Sequence, residues 1–109
     1  MNELVAANRA NKFGANSMKQ KADKVVEIYT RKAMREGVTI KQLPADFDFV
    51  WYVPNRRKDK DNISSAVKFI FDGFVKAGLI ENDGWKQVGD INHTFDIDKE
   101  EPRVEVYFS

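Results

Sequence analysis

Two aspartates near the middle of the chain, with a third acid after the following helix, are the residues best suited to chemistry. Asp59 and Asp61 lie two residues apart, and Asp83 follows after a helical stretch. Two ionised carboxylates that are close together and partly shielded from water repel each other, and a divalent cation removes that repulsion. Mg²⁺ takes oxygen ligands, often one or two carboxylates completed by phosphate oxygens and water. The residue types therefore indicate metal-assisted chemistry.

Cationic side chains surround the first two aspartates. They are Arg56, Arg57, Lys58 and Lys60. Such side chains attract phosphate groups, so this basic loop favours a polyanionic substrate. A simpler interpretation is that Asp61 only caps a helix and that Asp59 is a solvated neighbour, because Asp is favoured at helix starts. Two aspartates at this spacing are common, and on spacing alone both interpretations stay open.

An amphipathic helix is predicted directly after the aspartate pair. Apolar residues recur there at intervals of three and four, which is the spacing of one helix face. They are Ile63, Ala66, Val67, Ile70, Phe71, Phe74 and Val75. Gly78 follows the last apolar turn, where helices commonly stop in a left-handed conformation. Asp83 lies five residues beyond Gly78, close enough to fold back beside the helix.

The remaining patterns predict an α/β domain of the α+β type, in which a small mixed sheet packs with two main helices. The other helix runs from a capping box at residues 17–20 to Gly37, with an apolar stripe that includes Val26 and Tyr29. Strands are expected at residues 46–53, 87–97 and 103–108. The basic loop would emerge at the carboxyl end of the first of these strands, a usual place for sites in α/β folds.

Length and composition limit the classes of protein. At 109 residues the chain is one domain, residues 1–109, and 42% of its residues are apolar. It has no cysteine, which excludes disulfides, thiolate metal sites and a cysteine nucleophile. We find no apolar run as long as a membrane span and no signal-peptide pattern, so we expect no membrane partner and a cytoplasmic location.

Charge is distributed unevenly although the net charge is only +1. Residues 1–35 hold eight Lys or Arg against three acids, whereas residues 79–109 hold three against eight. Nucleic acid is bound by local patches rather than by totals. Residues 1–16 are expected to form a basic, irregular arm, with any first strand short or absent.

Two stretches of the sequence resemble the RusA family of Holliday-junction resolvases: R-R-K-D-K-D-N-I at residues 56–63, and K-F-I-F-D-G-F-V-K-A-G-L-I-E-N-D-G-W at residues 68–85. Residues 2–19 and 98–108 are similar to the ends of the family's chains, so the resemblance covers most of the protein. It implies a RusA-like fold, a bacterial or phage origin, and a Mg²⁺-dependent endodeoxyribonuclease, in which Mn²⁺ can substitute. Such an enzyme resolves four-way DNA junctions in recombination and repair without a small-molecule cofactor.

The resemblance also implies roles for individual residues. The catalytic carboxylates and metal ligands would be Asp59, Asp61 and Asp83. Lys68 would be a catalytic lysine that holds a phosphate oxygen or a developing charge. It takes this role when positions are counted back from Phe71 and Asp72, because the interval between Asn62 and Lys68 is three residues longer than in the family. A surface ion pair between Lys68 and Asp72 is the alternative. DNA contacts are expected from Arg56, Arg57, Lys58, Lys60, Asn62, Arg9 and Lys12.

Three functions stay open. The first is the junction resolvase, acting as a homodimer because a four-way junction has two related strands to cut and one chain supplies one carboxylate cluster. The second is a nucleic-acid-binding module without catalysis, and the third is a Mg²⁺ phosphoesterase that acts on other branched DNA. His93 is expected to be structural. Asp90, Asp96 and Asp98 are expected to be turn and surface acids, with an approach of one of them to the metal as the alternative. Trp85 is expected to pack in the core or an interface rather than to stack on a base.

Overall fold

The computed structural model describes residues 2–4 and 19–109, which fold into four strands and three helices. The strands are β1 (Asn2–Leu4), β2 (Ala45–Val53), β3 (Val88–Ile97) and β4 (Arg103–Phe108). The helices are α1 (Lys19–Arg35), α2 (Lys60–Ser64) and α3 (Val67–Ala77). The predicted α+β class, with a small mixed sheet and two main helices, is confirmed.

The four strands form one mixed sheet in the order β1-β4-β2-β3. β2 runs parallel to β3 and antiparallel to β4, and β1 pairs antiparallel with β4. Parallel strands need a crossover connection, and residues 54–87, which hold α2 and α3, provide it. The carboxyl ends of β2 and β3 therefore meet at one edge of the sheet. β1 is a first strand of only three residues, within the expectation that such a strand is short or absent. Residues 1 and 5–16 of the predicted arm lie outside the described residues.

The helix-facing side of β2 forms the centre of the core. Alternation along the strand buries Phe47, Phe49 and Trp51 on one face, as the sequence pattern predicts. The Phe71 ring of α3 stands edge-on to the rings of Phe47 and Phe49, with centroids 5.2 and 5.6 Å apart. The predicted apolar stripe from residue 63 to residue 75 is confirmed, because each of its members is buried or packs against this core.

The helix predicted after the aspartate pair is divided into α2 and α3. At the division, the Ala66 amide bonds the Ile63 carbonyl only three residues back, at 3.2 Å. The Ser65 hydroxyl donates to the Asn62 carbonyl at 2.6 Å. Serine side chains compete with the helical backbone in this way, which apolar periodicity alone does not reveal.

Helix α1 lies against α3 at a glycine. A Cβ atom at Gly73 would come within 2.5 Å of Val26 Cγ1, so a glycine is needed for this close approach. Val26 and Thr30 are fully buried, and Thr30 Oγ1 donates to the Val26 carbonyl at 2.7 Å. The predicted stripe of α1 is wrong at Tyr29, which is 38% exposed. Thr30 takes the inward position because the contact at Gly73 sets the rotation of α1.

The ends of the two long helices follow the prediction. Gly37 and Gly78 have φ angles of 102° and 87°, the left-handed conformation that stops a helix. Beyond α3, the Leu79 amide bonds the Phe74 carbonyl at 3.0 Å and turns the chain toward Asp83. The capping box at residues 17–20 begins outside the described residues. Across the ranges 2–4 and 19–109, none of the helices combines the length and the apolar character needed to cross a membrane.

We predict that Gly73→Ala lowers the free energy of unfolding by about 1–3 kcal/mol, the usual cost of overpacking, although alanine is the better helix former. Urea titration followed by circular dichroism would measure the change. Gly84→Ala is the matched control, because a Cβ atom there meets nothing closer than 3.7 Å. A Gly73→Ala protein as stable as the wild type would contradict the close contact between α1 and α3.

Candidate active site

The basic loop leaves the sheet at the carboxyl end of β2, as predicted. β2 ends at Val53 and α2 begins at Lys60. Asn55 Oδ1 accepts the Arg57 amide at 2.9 Å and holds the turn between them. The four basic side chains at residues 56, 57, 58 and 60 are exposed and form no ion pair with any residue that the structure describes. Their charges are therefore available to an anionic ligand.

Asp59 and Asp61 lie at the start of α2. Asp59 occupies the N-cap position with an extended backbone, but its side chain makes no capping hydrogen bond. Asp61 lies in the first turn, where its Oδ1 accepts the amide of Asn62 at 3.0 Å. Both aspartates are exposed. The interpretation of Asp61 as the helix cap is therefore wrong, and the two carboxylates face solvent beside the basic loop.

Lys68 connects Asp83 to α3. Its Nζ lies 3.1 Å from Asp72 Oδ1 and 3.2 Å from Asp83 Oδ2. Hydrogen bonds to Asp72 and then to Asp83 raise the pKa of Lys68 above its ordinary value, so the side chain is positively charged at neutral pH. Exposed ion pairs of this kind contribute little to stability. The surface pair with Asp72 is thus present, and a second contact brings together two of the four predicted catalytic residues.

Asp83 lies in a turn between α3 and β3. Asn82 Oδ1 accepts the Asp83 amide at 2.9 Å, and the Gly84 carbonyl accepts the Val88 amide at 2.9 Å. Asn82 Oδ1 therefore holds the backbone of the turn at Asp83. Trp85 is 96% exposed in the same turn. Packing of Trp85 in the core of the chain is excluded by this exposure. Packing at an interface, the other part of the expectation, stays a prediction.

The three predicted carboxylates do not form a preassembled metal site. Among residues 2–4 and 19–109, no group of three acidic, histidine or cysteine side chains is arranged to hold a metal ion. Asp83 pairs instead with Lys68. The donors are nevertheless all carboxylate oxygens, the ligand type that Mg²⁺ prefers. Asp59 and Asp61 would offer carboxylate oxygens to a hydrated ion, whereas Asp83 Oδ2 is held by Lys68.

The predicted DNA contacts divide between two concave surfaces on either side of the basic loop. Arg57 and Asn62 line the first, Arg56 and Lys60 line the second, and Lys58 contributes to both. In the second, Lys60 Nζ lies 5.5 Å from the centroid of the Phe95 ring. Arg9 and Lys12, the two contacts expected from the amino-terminal arm, lie outside the described residues.

One acid at this edge of the sheet was not predicted as part of the site. Asp96 lines the second concave surface together with Arg56, Lys58 and Lys60. It arrives there because β2 and β3 are parallel and pair Tyr52 with Asp96. Local spacing carries no signal of this placement, since it depends on the register of two strands separated by the whole crossover.

His93 has a structural role, in keeping with the prediction. Trp51 Nε1 donates to His93 Nδ1 at 2.9 Å, and the imidazole stacks on the Phe49 ring with centroids 5.4 Å apart. The hydrogen bond requires an unprotonated Nδ1. Partial burial lowers the pKa of His93 below its ordinary value of 6.5.

We predict that acid destabilises the wild type more than His93→Gln. Because the pKa of His93 is lower in the folded chain, the unfolded chain takes up its proton first as the pH falls through 6.5. The contribution of neutral His93 to the free energy of unfolding is therefore fully present above that pH and decreases below it. Glutamine accepts the Trp51 hydrogen bond without titrating. Urea titrations at intervals from about pH 7.5 to about pH 5 should show that the free energy of unfolding falls more for the wild type than for His93→Gln. A difference between the two proteins that stays constant with pH would contradict the lowered pKa of His93.

Comparison with known proteins adds no family. Neither a scan against protein-family models nor a search of the curated proteins finds a match for the chain. The likeness to the RusA family therefore rests on the quoted stretches of sequence, and a function has to be supported by the geometry of the basic loop, the aspartate pair and the Lys68–Asp83 contact.

Proposed function

We propose that the protein is a Mg²⁺-dependent, structure-selective DNA endonuclease that hydrolyses phosphodiester bonds in four-way junctions. The observation that carries this proposal is the 3.2 Å contact between Lys68 Nζ and Asp83 Oδ2. The two residues are 15 positions apart, and the resemblance to the RusA family singles out both. A lysine that served α3 alone would need only Asp72, four residues along the same helix.

The Lys68–Asp83 contact also supports Lys68, rather than Ser65, as the counterpart of the family's lysine. Counting back from Phe71 and Asp72 makes Lys68 the family's lysine, whereas counting forward from Asp61 makes that position Ser65. Ser65 bonds a carbonyl of its own helical turn, and Lys68 reaches the predicted acid. The interruption between α2 and α3 accommodates the three additional residues.

The basic loop supplies the electrostatic part of the proposal. Arg56 to Lys60 follow directly from β2, so the strand holds the loop in place, and the loop's free cationic side chains suit contacts to phosphates on a DNA backbone. Asp59 and Asp61 lie within this loop and at the start of α2. A phosphate drawn to the loop would therefore lie beside the two exposed carboxylates.

Asp59 and Asp61 would hold the metal ion, with Asp83 as a further ligand. When bound, Mg²⁺ activates a water molecule and stabilises negative charge on the phosphate and the leaving oxygen. Lys68 neutralises Asp83 in the absence of substrate. Once Asp83 turns from the lysine, the charged ammonium group is free to hold a phosphate oxygen. Asn62 and Arg57 orient the strand through the first concave surface.

A symmetric homodimer completes the proposal. Resolution of a four-way junction requires cuts in two strands that are related by two-fold symmetry, and each chain offers one pair of exposed carboxylates in the basic loop. A two-fold symmetric protein dimer matches the symmetry of that substrate. The active assembly would therefore contain two copies of the loop that carries Asp59 and Asp61.

A second candidate is a nucleic-acid-binding module without catalysis. The observation that favours it is the lack of a three-ligand group among the described residues, together with the free charges of the basic loop. Such a module would bind junctions in the presence of a chelator and would cut them with neither Mg²⁺ nor Mn²⁺. A phosphoesterase for other branched DNA would cut flaps faster than four-way junctions of the same sequence.

We predict that Asp61→Asn abolishes Mg²⁺-dependent cleavage of a synthetic four-way junction and leaves binding in place. The rate should fall by at least about 100-fold, since losing a direct ligand should exceed the roughly 10–100-fold cost of disturbing groups around a metal site. Gel assays of cleavage with Mg²⁺, and of binding with a chelator, would measure the two effects.

Asp48→Asn is the matched control for this variant, because Asp48 lies within β2 and is paired with neighbouring strands rather than with the loop. It should cut at the wild-type rate. An Asp61→Asn protein that cuts the junction as fast as the wild type, with the same metal requirement, would overturn the assignment of the aspartate pair.

A further inference from the structure

A cavity of about 330 Å³ opens between the carboxyl end of β2 and the division between α2 and α3. Its inner wall is apolar, because Trp51, Ala66 and Val104 are buried and the partly buried Phe69 packs beside them. Ligand-binding cavities commonly occupy about 300–1,000 Å³. The cavity is thus of a size for one small planar group rather than for an extended ligand.

The opening of the cavity is polar and cationic. Asn55, Arg57, Lys58, Asn62 and Ser65 are exposed around it. No acid is among the lining residues within the part of the chain that the structure describes. Arg103 also lines the cavity, but its guanidinium group bonds Asp98 and Glu105. The unneutralised charge at the opening therefore comes from Arg57 and Lys58.

We infer that this cavity receives an unpaired nucleotide of a DNA strand. The base would enter the apolar part beside the aromatic side chains, and the attached phosphate would remain at the opening with Arg57 and Lys58. Bases pack on aromatic side chains whatever their identity, and the backbone phosphate follows cationic groups. An uncharged apolar ligand would leave both cations without a partner, and a peptide of mixed charge would gain less from an opening without acids.

This inference rests in part on the proposed function, because branched DNA supplies strands with unstacked bases. Asn62 and Lys58 line the cavity and flank the aspartate pair along the chain. A nucleotide held in the cavity would thus fix the position of the strand next to the exposed carboxylates. The cavity would give the enzyme a preference for distorted over regular duplex DNA.

Binding can be measured separately from cleavage by working in a chelator. The probes are three duplexes of one sequence: fully paired, with one extra unpaired 2-aminopurine nucleotide, and with an abasic residue at that place. We expect the wild type to bind the 2-aminopurine duplex about tenfold more tightly than the abasic one, as one base–aromatic contact allows. Emission of 2-aminopurine should change on binding.

Two matched pairs of variants locate the effect. Ser65 lines the cavity and Ser64 does not, although each hydroxyl bonds a carbonyl of its own helical turn. Ser65→Trp should abolish the tenfold preference and Ser64→Trp should keep it. Arg57 lines the cavity and Arg56 does not. Arg57→Gln should reduce the preference, whereas Arg56→Gln should weaken binding to all three duplexes alike.

Several results would overturn the inference. The first is equal affinity of the wild type for the 2-aminopurine and abasic duplexes. The second is a preference for the 2-aminopurine duplex that survives in both Ser65→Trp and Arg57→Gln. The third is binding of free 2-aminopurine deoxynucleotide as tight as that of the duplex. If Ser65→Trp fails to fold, the arginine pair decides. If the protein cleaves junctions but binds the 2-aminopurine and abasic duplexes equally well, this inference alone is wrong. If the protein binds the 2-aminopurine duplex more tightly than the abasic one but never cuts DNA with Mg²⁺, the proposed function alone is wrong.

Discussion

The packing of two aromatic side chains of β2 against α3 is the contact on which the arrangement of the site depends. Phe47 and Phe49 are fully buried, and the Phe71 ring lies edge-on to both. Edge-to-face pairs of this kind add about 0.5–1.5 kcal/mol to the burial of their area. Because β2 ends in the basic loop and α3 carries Lys68, this packing fixes the distance between the loop and the lysine. A shift of α3 along β2 would move Lys68 relative to the aspartate pair.

The charged groups of the candidate site are either paired with one another or open to solvent. Lys68 pairs with both Asp83 and Asp72, while the basic loop and the two aspartates inside it remain open to solvent. An ion pair at the surface is weak, so under the proposed function a divalent cation together with a phosphate would displace the lysine from Asp83. The proposed function thus assigns Lys68 to the acid before binding and to the phosphate afterwards. Under the proposed function, the positive charge on both sides of the loop and the apolar cavity beside it would together place one strand next to the carboxylates.

Burial of one face of a strand or helix can be predicted from this sequence, whereas contacts between distant segments cannot. The alternation from Phe47 to Trp51 and the helical stripe from residue 63 to residue 75 reflect burial of one face, which a periodic pattern records directly. The interruption at Ser65 depends on a hydrogen bond from a side chain to the backbone, and the rotation of α1 depends on the contact between Val26 and Gly73. Neither leaves a periodic signal. The position of Asp96 depends on parallel pairing across the crossover, and that of Asp83 on the turn after Gly78. Contacts between distant segments of this kind cannot be obtained from spacing.

The central claim is that the aspartate pair and Asp83 belong to one centre that the DNA completes. Paramagnetic broadening by a trace of Mn²⁺ tests it most directly, in amide spectra of the protein bound to a four-way junction whose backbone linkages at the crossover resist hydrolysis. The account predicts that the amide signals of residues 59–62 and 82–84 broaden together, and that Gly37, at the far end of α1, stays sharp. Broadening confined to residues 59–62, or broadening of neither segment, would contradict it.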